Sequence, residues 1–183
     1  MNTLRFDLAF IGDLTFWIAC AAGFCMIALA LKTLISKDFQ FWPPQKDKPW
    51  QRKVFLILFR ALVYGLIILT LLRFVGPSSR ETGMQFWLGI AFMLIGFGIA
   101  FYATYAMGWR NAFGKAEGLR TGGLFRFSRN PVYVSTWLGL LGWGLFAGSP
   151  RIWILAGLWA VLYLIAPFLE EPWLEKQYGA EYL

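Results

Sequence analysis

The sequence predicts an all-α integral membrane protein of about five transmembrane helices, the last two forming a helical hairpin. Three observations carry that expectation. The 183 residues are 58% hydrophobic and 19% aromatic but only 15% charged, with a mean hydropathy of +0.56. Soluble domains average roughly 45–50% apolar and about 25% charged, so such a chain has too few polar side chains to face water. Its apolar residues gather into five runs divided by short polar segments, and Lys and Arg concentrate in alternate connections.

Residues 14–35 give a first span, nearly free of charge until Lys32. At about 1.5 Å per residue it crosses a hydrocarbon core of about 30 Å. Residues 36–53 read as a polar loop, too rich in proline (Pro43, Pro44, Pro49) for helix, with Trp42 and Trp50 suited to an interfacial belt. Residues 54–75 form a second span carrying Arg60. An isolated Arg at the bilayer centre costs at least ~2.5 kcal/mol, so Arg60 either snorkels toward the interface or faces a groove. Gly76–Pro77–Ser78–Ser79 closes this span. Residues 84–107 form a third, whose Gly89, Gly96 and Gly98 allow close helix approach. Residues 132–147 and 151–168 are shorter and joined by Gly148–Ser149–Pro150, which predicts the hairpin. Pro167 is expected to kink or end the last helix just before Glu170.

Counting Lys and Arg sets the topology. With the N-terminus outside, the cytoplasmic side holds twelve: Lys32, Lys37, Lys46, Lys48, Arg52, Lys53, Arg110, Lys115, Arg120, Arg126, Arg129 and Lys176. The other side holds four: Arg5, Arg73, Arg80 and Arg151. This is the positive-inside pattern, and it fits a bacterial inner membrane with the C-terminus in the cytoplasm. It also puts the loop at 108–131 and Glu170–Glu171 on one face. The chain reads as a single membrane domain over 1–183, with three N-terminal spans (1–107) followed by a loop, the hairpin and a C-terminal segment (108–183).

Other classes fall away. The net charge of +7 and pI near 9.7 lie beside apolar runs, where they meet anionic lipid headgroups rather than nucleic acid. Cys20 and Cys25, five apart on different helix faces, read as buried structural thiols and not as a disulfide framework or metal site. The chain has no His, which excludes catalysis built on imidazole. Arg5 is offset by Asp7 and Asp13, and the apolar run that follows exceeds a typical signal-peptide core of about 7–15 residues; a retained helix is expected.

Two polar stretches remain: Glu117–Tyr133 (EGLRTGGLFRFSRNPVY) and Glu170–Tyr182 (EEPWLEKQYGAEY). Their order, with one hairpin between, resembles the isoprenylcysteine carboxyl methyltransferase family and its phospholipid methyltransferase relatives. There an Arg-His-Pro-x-Tyr step and a downstream Glu-Glu-x-x-Leu segment with a Gly-x-x-Tyr ending enclose S-adenosylmethionine. The resemblance covers the C-terminal third and implies a cofactor site at Gly123, Arg129, Asn130, Pro131, Tyr133, Glu170, Glu171 and Tyr178. Arg129 and Glu170 are the best catalytic candidates, and no metal is implied.

The chemistry of those residues suits that cofactor. Glu170 or Glu171 can accept hydrogen bonds from its ammonium, Arg129 or amides near Asn130 can hold its carboxylate, and Tyr133 and Tyr178 offer aromatic faces to its sulfonium or adenine. Methyl transfer asks mainly for alignment and exclusion of water. The acceptor implied is lipophilic, a carboxylate, amine or thiol entering from the bilayer. This chain departs from the family in two ways. Asn130 stands where His is usual, and the sequence stops at Leu183 where relatives continue with a short basic tail. Taken singly, Arg120, Arg126 and Arg129 also suit headgroup binding, and Glu170–Glu171 a solvated helix end; their meeting on one face favours a site. Two other classes compete: an NADPH-dependent membrane reductase of the sterol reductase type, marked by 2′-phosphate-dependent binding, and a non-catalytic helical scaffold, which the missing His favours.

Overall fold

A computed structural model of the protein describes residues 2–36, 38–44, 48–75, 83–112, 118 and 122–179. Every regular element among them is helical: α1 (Asn2–Ile35), α2 (Pro49–Val75), α3 (Met84–Met107), the single turn α4 (Trp109–Ala112), a 3-10 turn (Gly123–Arg126), α5 (Pro131–Ala147) and α6 (Pro150–Tyr178). Four helices, Asp7–Ile35 of α1, α2, α3 and α6, are long and apolar enough to cross a membrane. With 17 residues, α5 reaches about 25 Å, a little short of an upright span. The chain is an integral membrane protein of five principal helices, and the third expected span coincides with α3 residue for residue.

Two expectations about proline are corrected. Pro49 starts α2 instead of belonging to the loop, since the first helical position has no intrahelical use for its N–H. Nor does Pro167 end the last helix: α6 runs through Pro167 and Pro172 to Tyr178. Each interior proline removes one helical hydrogen bond, but neighbouring helices and local adjustment make this tolerable in membrane helices. The result is one continuous helix that carries Trp159, Tyr163, Ala166 and Glu170 at i, i+4, i+7 and i+11, the spacing of a single face.

The hairpin forms as expected. Gly148, in the left-handed conformation (φ 56°, ψ 34°), caps α5 by donating its N–H to Gly144 O at 2.8 Å. After Ser149, Pro150 opens α6. Along the hairpin, the Trp137 indole N–H donates to Ala160 O at 3.1 Å.

The core centres on α6. Its Ile152, Leu155, Trp159 and Leu162 are buried against Phe16, Ala19 and Met26 of α1, Leu62 and Leu66 of α2, and Leu140 of α5. Asp13 and Arg151 pair at 2.6 Å where α1 meets α6, at the end away from Glu170. Cys20 is buried as expected, whereas Cys25 is exposed, because five residues carry it to the other side of α1. The Gly76–Ser79 turn, Lys37, Lys46, Arg80, Lys115, Glu117, Arg120 and Ala180–Tyr182 lie outside the described residues.

On the far side, α3 is held chiefly by α5. Between lipid-soaked helices the hydrophobic effect gives little drive, and close van der Waals packing of small residues replaces it. A Cβ added at Gly96 would collide with Gly139 N, one at Gly89 with Phe146 N, and one at Gly142 with Met93 N. By contrast, a Cβ on Gly98 would meet nothing within 4 Å. Gly96→Val is therefore expected to lower the melting temperature in detergent, at an overpacking cost of about 1–3 kcal/mol, while Gly98→Ala leaves it level or slightly raised. Equal melting of both variants would refute a backbone-close α3–α5 contact.

Candidate functional site

The described part of the loop after α1 folds back onto the ends of α1 and α6. Its backbone is pinned by hydrogen bonds: Phe41 N–H donates to Thr33 Oγ1 at 3.0 Å, Gln40 Nε2 to Pro43 O at 2.6 Å, and Gln51 Nε2 to Gln40 O. Phe41 and Trp42 are buried in a second apolar cluster with Ala30 of α1 and Leu169 of α6. This delivers the Trp42 indole to Glu170, 128 residues later in sequence.

Glu170 is the focus of the polar contacts. Its Oε1 accepts one hydrogen bond from Trp42 Nε1 and one from the Tyr133 hydroxyl, each at 2.7 Å. Its Oε2 has no hydrogen-bond partner among the described residues. A carboxylate among apolar helices is costly unless donors satisfy it, and here both donors serve one oxygen.

Aromatic rings close a circuit around this carboxylate. Trp42 stacks on Phe55 (4.2 Å between centroids, 26°), Phe55 on Phe59 (5.7 Å, 6°) and Phe59 on Tyr163 (6.5 Å, 9°). Tyr163 meets Tyr133 edge-on at 4.7 Å, and Tyr133 returns to Glu170. Loop, α2, α5 and α6 are thus joined by a run of ring contacts beside Glu170.

The other expected residues take the following places. Asn130 caps α5 through its backbone, with its own N–H donated to Ser128 Oγ at 3.1 Å, and Pro131 is buried as the first residue of the helix. Arg129 is exposed on the turn before α5 and is not one of Glu170's partners. Gly123 opens the 3-10 turn at φ +63°, with open space where a Cβ would project. Glu171 lies 100° around the helix from Glu170, half-buried, with no hydrogen bond or ion pair among the described residues. The Tyr178 hydroxyl accepts the Gly118 N–H at 3.1 Å, and Gly118 O accepts from Asn111 Nδ2 at 3.0 Å. That relay ties the segment after α3 to the end of α6. The structure thus gathers Tyr133 and Glu170 into one hydrogen-bonded cluster and leaves Arg129, Glu171 and Tyr178 outside it.

Sequence reasoning missed the role of Trp42, which had the look of a belt residue. A usable signal was the clustering of Phe39, Phe41 and Trp42 in a loop otherwise rich in charge, since apolar side chains so dense beside a membrane seek a buried seat.

The sequence model of one family, described as phospholipid methyltransferase, matches residues 84–181, more than half of the chain. The protein belongs to the phospholipid methyltransferase family. The matched region contains the α3–α5 pair, the Asn130–Pro131 step, Tyr133 and Glu170, but not Trp42. A curated relative, phosphatidylethanolamine N-methyltransferase of Mus musculus, is 33% identical over 107 residues, which is 55% of this chain and 54% of that protein. The chain thus spans about half the length of that family member. No solved structure matches.

The two donors to Glu170 can be removed one at a time. Trp42→Phe keeps a ring to stack on Phe55 and deletes the indole N–H, while Tyr133→Phe deletes the hydroxyl. Each is expected to cost about 1–3 kcal/mol of stability. Because both donors serve one oxygen, the double variant is expected to depart from the sum of the singles. Additive melting shifts would argue that the two groups do not share the carboxylate.

Proposed function

We propose that this protein transfers a methyl group from S-adenosylmethionine to the amine of a membrane phospholipid. The observation that carries it is the Glu170 carboxylate, with Oε1 held by Trp42 and Tyr133 and Oε2 left to a ligand, inside the region that defines the family. Membership of a phospholipid methyltransferase family, and a relative named for an amine acceptor, favour an amine over a carboxylate or thiol.

The residues fit the proposed cofactor. Glu170 Oε2 suits its ammonium, the ring wall of Tyr133 and Tyr163 suits a sulfonium or adenine, and the exposed Arg129 suits its carboxylate. Gly123 leaves room for backbone to approach. When bound, S-adenosylmethionine supplies an electrophilic methyl group. The chain's own work is then to orient, to exclude water and to accept a proton. Glu171, half-buried and without a hydrogen bond, is the carboxylate left to accept the proton that an amine sheds on methylation. None of these tasks needs the imidazole that Asn130 replaces.

We also propose an N-terminus outside and a C-terminus in the cytoplasm of a bacterial inner membrane, on the strength of the twelve-to-four distribution of Lys and Arg.

The test is calorimetric titration of the detergent-purified protein with S-adenosylhomocysteine, with NADPH as control. Micromolar affinity for the first and none for the second is expected. Glu170→Ala or Arg129→Ala should weaken the first by roughly tenfold or more, the worth of one charge-assisted hydrogen bond, without changing the elution profile. Undiminished affinity in both variants would remove these residues from the site, and binding of NADPH alone would point to a reductase.

A further inference from the structure

Arg60 lies eleven residues past Pro49 in α2, about 16 Å along the axis. It is exposed and makes no hydrogen bond, ion pair or ring contact among the described residues. Ionisable residues inside membrane helices are costly, and they mark functional pathways more often than packing. Its position around the helix is informative. Ile67 and Leu71, seven and eleven residues on, lie within about 20° of it on a helix of ~3.6 residues per turn. Both line a groove of about 420 Å³ whose far wall is Met93, Phe97 and Trp143. The groove lies between α2, which packs on α1 and α6, and α3, which packs on α5.

The polar groups of that groove are already satisfied. Trp143 Nε1 donates to Thr70 Oγ1 at 2.8 Å, and Thr70 Oγ1 donates to Leu66 O at 2.7 Å. What remains is apolar and suits hydrocarbon. Seven residues before Arg60, exposed Lys53 completes the same stripe. From one end to the other the stripe reads cation, cation, apolar groove, and a phospholipid has the complementary order of charged headgroup and acyl chain. Helical side chains lean toward the helix N-terminus, which in α2 is the end where Phe55 stacks beneath Trp42 and Glu170.

We propose that Lys53, Arg60 and the Ile67–Leu71 groove form the seat of a phospholipid. Its phosphodiester pairs with the Arg60 guanidinium, whose planar fork matches phosphate oxygens. Lys53 stands nearer the interface, and one acyl chain lies along the groove. The inference rests on the methyltransferase reading above for which end of the lipid reacts; the phosphate contact stands on the stripe alone. Arg60 and Lys53 fall outside the residues that match the family, so the seat belongs to the N-terminal half of the chain.

The experiment is native mass spectrometry of the full chain in detergent, titrated with phosphatidylethanolamine and with diacylglycerol of the same chains. The protein is expected to retain the phosphate-bearing lipid in preference, by roughly tenfold or more, as a charge-assisted contact gives. Arg60→Gln is expected to bring the preference close to unity and Arg60→Lys to keep part of it. Ile67→Trp, which fills the groove, is expected to lose both lipids alike. An unchanged preference in Arg60→Gln, or no preference in the parent protein, would overturn the seat and leave Arg60 as a snorkelling residue. A parallel assay of methyl transfer to phosphatidylethanolamine keeps the two proposals apart. No transfer by a protein that still prefers the phospholipid would sink the methyltransferase reading and uphold the seat. Transfer whose KM rises in Arg60→Gln while kcat holds would support both.

Discussion

A carboxylate among apolar helices must be held by donors, and meeting that need at Glu170 organises one end of this molecule. Trp42 and Tyr133 come from a loop and a helix far apart in sequence, yet both hydroxyl and indole N–H reach Oε1 at 2.7 Å. To bring Trp42 there, the loop after α1 has to bury Phe41 and stack on Phe55. To bring Tyr133 there, α5 has to start at Pro131 and lean on Tyr163 of α6. The aromatic circuit is the packing that follows from these demands.

Helix packing is distributed unevenly to match. On one side α3 and α5 approach backbone to backbone at Gly89, Gly96 and Gly142, and the Phe97 ring packs directly on Gly139. On the other, α2 and α3 stand apart and leave a lipid-facing groove. Close packing thus lies on the α5 side of α3, and the open groove on its α2 side. A bilayer permits this arrangement because lipid can line an apolar opening that water would penalise.

Much of the scaffold was legible from sequence. Hydropathy located α3 to the residue, and the Gly148–Ser149–Pro150 step located the hairpin, because the bilayer imposes lengths and glycine and proline impose turns. Proline misled at Pro49, and at Pro167 the helix does not end, because helix position and the surrounding helices decide whether a missing N–H stops a helix. Of the candidate site, Tyr133 and Glu170 were identified and do meet. Trp42 was not, since its part depends on a contact across 128 residues that no local pattern encodes. Nor was the engagement of the Tyr178 hydroxyl with Gly118, whose backbone donor is invisible to any reading of side chains.

The same long-range contact bears on biosynthesis. As the chain emerges, Trp42 is laid down with the first helices and Glu170 only with the last. Until α6 has entered the bilayer, the indole N–H lacks its acceptor and Tyr133 lacks its anchor. The cluster therefore waits for the last helix: its two donors, made earlier, meet their shared acceptor only when α6 seats beside them.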